Sequence, residues 1–107
     1  MGNFQKEYGE SELLDNYLNQ AIAEVLKELR TSRNWSFTEL AKKMNNIVSR
    51  QTLNNYELAK SKLRMKMFFN FAKVYDLEPK DLYNKINLRY ISKLEENIKS
   101  LGVKDDK

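Results

Sequence analysis

The 107-residue chain is predicted to be all-α, and three observations predict it. Every long segment repeats its apolar residues at the three- and four-residue spacing of a helix, and none alternates like a strand. Helix-start signals stand ahead of the stripes: Ser36 lies three residues before Glu39, and Pro79 opens the last segment. The connections between the periodic segments are short, with no low-complexity linker.

Each element follows in turn. Leu14, Tyr17, Leu18, Ala21, Ile22, Val25, Leu26 and Leu29 form one stripe, which predicts a first helix from about Ser11 to Ser32. Ser36 begins SFTE, a capping box in which the Ser36 hydroxyl and the Glu39 carboxylate satisfy each other's orphan amides. A second helix runs from there to about Met44, with Phe37, Leu40, Ala41 and Met44 inward. Asn45 and Asn46 follow, a residue type that tolerates the left-handed backbone of a tight turn. Ser49 starts a third helix, SRQTLNNYE, with two apolar residues three apart, Leu53 and Tyr56. Almost every other side chain on it donates or accepts hydrogen bonds. A fourth helix, near Met65 to Tyr75, buries Phe68, Phe71, Ala72 and Tyr75, an aromatic stripe that reads as core. Pro79 suits the first position of a fifth helix, where its missing amide costs nothing. That helix uses Leu82, Tyr83 and Ile86 and can continue. A final stripe, Ile91, Leu94, Ile98 and Leu101, ends at Gly102 and a charged tail.

Composition narrows the function. The length suits one domain with a modest core. Without Cys there is no disulfide framework and no thiolate for zinc. Without His, the commonest general base and metal ligand is missing. Gly2, Gly9 and Gly102 all lie near the ends, so no glycine-rich loop cradles a phosphate. No carboxylate pair suggests a catalytic site. Neither catalysis, nor a cofactor, nor a metal is expected. No apolar run approaches the roughly 18 residues that span a bilayer. The start MGNFQKEYGE lacks the apolar core of a signal peptide, and Lys6 stands where a myristoylation signal needs Ser or Thr. A cytoplasmic protein with no membrane contact is expected.

The net charge of +4 is unevenly spread. Residues 1–26 carry Lys6 against Glu7, Glu10, Glu12, Asp15 and Glu24. Residues 27–66 carry Lys or Arg at 27, 30, 33, 42, 43, 50, 60, 62, 64 and 66, against Glu28, Glu39 and Glu57. Residues 67–107 are nearly balanced. Such a local excess favours a polyanionic partner, although a solvated lysine-rich face is equally compatible with charge alone.

Two short helices separated by a turn, the second polar on its outer side, form a helix-turn-helix. LKELRTSRNWSFTELAKKM, VSRQTLNNYE and FFNFAKVYDLEPKDLY together resemble the Cro and phage-repressor family of DNA-binding domains, over residues 22 to about 86. The features that carry it are the capped helix, the Leu40–Ala41 pair and the turn, then Ser-Arg-Gln-Thr-Leu with Tyr56-Glu57, Ala72-Lys73 and a helix after Pro79. The resemblance implies a five-helix, repressor-like domain that binds double-stranded DNA and usually dimerises on a two-fold operator. The turn MNNIVS is about two residues longer than the family's usual one, and Asn45 or Asn46 replaces its glycine. On this reading residues 1–20 are an N-terminal helical extension and residues 21–88 the DNA-binding domain. Residues 89–107 are then an extra C-terminal helix, suited to dimerisation, with a charged tail.

Leu53 and Tyr56 pin the third helix to the core, and roughly opposite them, at about 100° per residue, lie Gln51, Asn54 and Asn55, with Arg50 at the flank. An Asn or Gln amide suits bidentate pairing with adenine, and Arg suits guanine. The family's base-reading positions fall on these four residues. Phosphate contacts are expected from Ser36 and Thr38 at the start of the second helix, and from Lys60, Lys62 and Arg64 in the loop LAKSKLRMK, with Lys66 beyond them. The function expected is a sequence-specific transcriptional regulator, a repressor of phage, plasmid or mobile-element type. It would be a homodimer held by Ile91, Leu94, Ile98 and Leu101, or by the N-terminal flank at Leu13, Leu14, Tyr17 and Leu18. The alternative is an antitoxin or accessory protein whose flanking helices hold a protein partner, to which the acidic residues Glu7, Glu10, Glu12 and Asp15 lend support.

Overall fold

The computed structural model describes residues 2–100, and their side chains from Leu14 to Lys99. It contains α1 (Gly2–Ser32), α2 (Phe37–Lys43), α3 (Arg50–Glu57), α4 (Met65–Val74) and α5 (Pro79–Ser100), with no strand among the described residues. Leu101 and Gly102 lie outside the described residues, as do the side chains of Glu7, Glu10, Glu12 and Leu13.

α1 begins at Gly2 and not near Ser11. Extending a helix from a packed body adds one hydrogen bond per residue fixed, so the single helix-weakening Gly9 does not stop it. α1 and α5 also run through residues 20 and 88 without a break, making both flanks continuations of core helices.

The core joins all five helices: Val25, Leu26 and Leu29 from α1, Leu40 and Ala41 from α2, Leu53 from α3, Phe71 and Ala72 from α4, Leu82 and Ile86 from α5. Tyr75 stacks on Phe71 and Trp35, with centroids 6.3 and 5.6 Å apart, and Tyr56 meets Phe71 edge-on at 5.8 Å. Phe37 and Phe68, expected inward, are only partly buried at the margin. Tyr83 is a correction: it is exposed, because Leu82 and Ile86, one turn apart, already occupy the inner face of α5. Leu14 and Leu18 of the first stripe are exposed as well, since they lie ahead of the point where α1 meets the core.

Four helices close on the same backbone device without a glycine. Asn34, Asn45, Ala59 and Asp76 each take a left-handed conformation, with φ of 58°, 59°, 60° and 57°. The amide after each reaches back to a carbonyl inside its helix: Trp35 to Arg30, Asn46 to Ala41, Lys60 to Asn55 and Leu77 to Ala72. This is the Schellman pattern, which satisfies the last orphan carbonyls.

α1 and α5 pack antiparallel. The Tyr17 hydroxyl donates to Asn97 Oδ1 at 2.8 Å, Lys93 and Arg89 grip Glu24 at 2.6 and 2.9 Å, and Arg89 also pairs with Glu28. Burial pushes the Glu24 carboxyl up, but the hydrogen bonds from Lys93 and Arg89 outweigh it and hold the pKa below its ordinary value. Leu88, Ile91 and Ile98 remain exposed on the outer side of α5, while Leu94 is half-buried.

Candidate nucleic-acid interface

The polar third helix is built locally. Ser49 caps it, its hydroxyl accepting the Thr52 amide at 3.1 Å and donating to Thr52 Oγ1 at 3.0 Å. Leu53 is fully buried and Tyr56 half-buried, which fixes the rotation of α3 about its axis. On the outer face the Gln51 amide donates to Asn55 Oδ1 at 3.2 Å, so these two predicted readers stand side by side one turn apart. Asn54, about 100° round from Leu53, is half-buried on the flank. Arg50 is exposed at the leading end, its Nη1 3.4 Å from Thr38 Oγ1 on α2, a long contact that nonetheless brings a predicted base reader beside a predicted phosphate contact.

α2 carries the expected capping box: Glu39 N–H donates to Ser36 Oγ at 3.1 Å, and Ser36 N–H donates to Glu39 Oε1 at 2.8 Å. The Ser36 and Glu39 amides are therefore occupied, as the capping box predicts. The Ser36 hydroxyl can still donate, as can Thr38, which is exposed. Beyond α3, Lys60, Lys62, Arg64 and Lys66 are all exposed. Arg64 is the N-cap residue of α4 and makes no side-chain cap, so the first amides of that helix complement the cationic loop.

Not every central cation belongs to this surface. The Arg30 Nε and Nη2 atoms donate to Glu57 Oε2 and Oε1 at 2.8 and 2.9 Å, and Nη1 donates to the Trp35 carbonyl at 2.8 Å. Its guanidinium also lies 4.0 Å over the Phe37 ring. One side chain thus ties α1 to the residue ahead of the α2 cap, to the start of α2 and to the end of α3. The hydrogen bonds to Glu57 outweigh burial and raise the Arg30 pKa above its ordinary value. Arg33 is likewise spent inward: it donates to the Leu29 and Tyr75 carbonyls at 3.0 Å and sits 5.0 Å over the Tyr75 ring. Burial in turn raises the Tyr75 pKa well above its ordinary value, with the Glu57 charge adding to the effect.

In the sequence Arg30 figures only as a charge, and Glu57 only as a charge and as part of the Tyr56-Glu57 motif, with nothing to pair the two. The signal available was their position, each one helical step from residues of the core stripe. Among the described residues no cluster of carboxylates, His or Cys could hold a metal, and no helix is long and apolar enough to cross a membrane.

Against known proteins, a helix-turn-helix family model matches residues 26–82, which is more than half of the chain. No curated protein and no solved structure matches it. The matched span opens inside α1, ends inside α5 and contains the capped α2, the turn, the polar α3 and the basic loop. The chain belongs to the helix-turn-helix family of DNA-binding transcription regulators, of the Cro and phage-repressor type.

Proposed function

We propose that the protein is a repressor of phage, plasmid or mobile-element type that occupies a palindromic operator as a homodimer. Arg50, Gln51, Asn54 and Asn55 read base edges in the major groove. Ser36, Thr38, Lys60, Lys62 and Arg64 hold phosphates. The observation that carries this reading is the Gln51–Asn55 pair on the outer face of α3, flanked at one end by Arg50 and followed by an exposed cationic loop. Paired amides match the donor and acceptor of adenine, and the surrounding cations match the backbone. Ile91, Leu94 and Ile98, two of them exposed, suit a two-fold contact along α5, with Leu101 beyond the described residues.

Selection of binding sequences from random duplex DNA tests the reading, and a palindromic motif is the expected result. On the selected site, Gln51→Ala and Asn55→Ala lose about 1–3 kcal/mol each and leave non-specific binding nearly unchanged. Lys62→Ala and Arg64→Ala weaken binding on every sequence and make its salt dependence shallower, by about 0.9 in log–log slope for each phosphate no longer neutralised. Selection that yields no motif, or binding that hardly responds to salt, refutes the reading.

A second reading, a protein that holds a protein partner and binds DNA secondarily, is favoured by one feature. Leu18, Met65, Phe69 and Tyr83 are exposed around a single apolar groove between α1, α4 and α5. A stoichiometric partner co-purifying from the native host would support it.

A further inference from the structure

The joint between α2 and α3 is built differently from the others. At Asn34, Ala59 and Asp76 one left-handed residue closes the helix, and the next returns to ordinary backbone. Here Asn45 closes α2 in the same way, yet Asn46 is left-handed too, with φ of 57°. Closure needs only the first. The second redirects the chain, and what it redirects is Ile47, a branched aliphatic side chain left 55% exposed just ahead of the α3 cap.

Ile47 is not isolated on the surface. It borders a hollow between α2 and the start of α3, together with Thr38, Ala41, Lys42, Ser49 and Arg50. Thr38 and Arg50 are the phosphate and base contacts proposed above. The hollow therefore faces the same ligand, with an apolar floor in a frame of hydroxyls and cations. In the major groove of a DNA duplex the one apolar group on offer is the thymine C5-methyl.

We infer that Ile47 is a base-reading residue, and that it recognises the methyl group of a thymine at the edge of each half-site. The inference rests on the regulator reading and adds to it a specificity that α3 itself does not supply. Polar side chains on α3 read hydrogen-bonding edges, whereas Ile47 in the turn reads shape and apolar surface.

The test takes the selected operator and replaces each thymine in turn by uracil, which removes the methyl and leaves the pairing edge intact. For the wild-type full chain, one symmetric position weakens binding about three- to fivefold per half-site, the effect expected for one buried methyl group. For Ile47→Ala that position loses its sensitivity while every other position keeps its own, and melting falls only slightly because the side chain is more than half exposed. Ile47→Val retains part of the effect. Placing 5-methylcytosine, paired with guanine, at the same position restores part of the methyl recognition to the wild type and none to Ile47→Ala. An operator that binds tightly, with the same uracil profile for wild type and Ile47→Ala, overturns the inference and leaves the regulator reading standing. Failure to select any operator overturns both.

Discussion

Exchanging Glu57 for Gln keeps the volume and shape of the side chain but removes the charge that faces Arg30. The pair is bidentate at 2.8 and 2.9 Å, and its two side chains retain only 14% and 6% of their exposure. An ion pair in water contributes about 0–1 kcal/mol, whereas breaking a buried one costs about 3–5 kcal/mol by leaving a charge uncompensated. The low exposure puts this pair in the second regime. Glu57→Gln is therefore expected to lower the unfolding free energy by about 3–5 kcal/mol, and the melting temperature by more than about 10 °C. Replacing both partners, Arg30→Met with Glu57→Leu, removes the buried charge altogether and should leave stability within about 2 kcal/mol of wild type. That double variant nonetheless loses the link from α1 to the Trp35 carbonyl, so its selectivity among DNA sequences should fall while it remains folded. Thermal and urea unfolding followed by circular dichroism at two salt concentrations measures the stabilities, and the loss should hardly depend on salt. A Glu57→Gln protein within about 1 kcal/mol of wild type would refute the argument that this pair clamps α3 to α1.

Three further outcomes are expected. Ala59→Gly should raise stability by up to about 1.5 kcal/mol in the same unfolding assay, because left-handed strain of about 1–2 kcal/mol at φ 60° is relieved against a glycine entropy cost of about 0.5–1 kcal/mol. Glu24 has a folded pKa below its ordinary 4.5, so its pairing stabilises the fold above that value and is lost as pH falls through the folded pKa. Glu24→Gln should then cost less than about 1 kcal/mol at pH 7, the side chain being 44% exposed, and should flatten the acid limb of a stability–pH curve. Ile91→Glu combined with Ile98→Glu should convert a sedimenting dimer to monomer; a surviving dimer would move the interface to the groove of Leu18, Met65, Phe69 and Tyr83.

What could be read from the sequence was what neighbouring residues decide among themselves. The Ser36–Glu39 box, the Ser49 cap and the inward Leu53, Phe71 and Leu82 all follow from spacings of three or four. The joint at Asn45 and Asn46 was legible as left-handed backbone, but not that both residues adopt it, since one left-handed residue is enough to close a helix. Tyr83 was placed inward with Leu82 and Ile86 because it lies within one turn of both, whereas the space beneath α5 is filled by those two residues. The Arg30–Glu57 pair was invisible for a different reason. Its partners lie 27 residues apart and meet only once α1 and α3 have packed. Exposure of Ile47 likewise depends on a chain direction that no single residue announces.

The antiparallel pairing of α1 with α5 carries a consequence for the order of assembly. The four helix closures join residues five apart and need no distant partner. The Arg30–Glu57 clamp spans 27 residues, and the contacts between α1 and α5 span 61 to 80. Loop-closure entropy rises with the logarithm of length, so the last set is only about 0.7–1 kcal/mol harder to close than the clamp. The gain from these polar contacts is nevertheless small, because Glu24 and Glu28 are well exposed, whereas the apolar residues of the two helices, Val25, Leu26, Leu82 and Ile86, are buried in the core. Closures should therefore form first and the clamp next, and the polar contacts between α1 and α5, from Arg89–Glu28 out to Tyr17–Asn97, should close last. Run backwards, partial opening begins at the Tyr17–Asn97 end of the α1–α5 pair. It leaves α2, α3 and the clamp assembled, so the helix pair outlasts the loosening of its own scaffold.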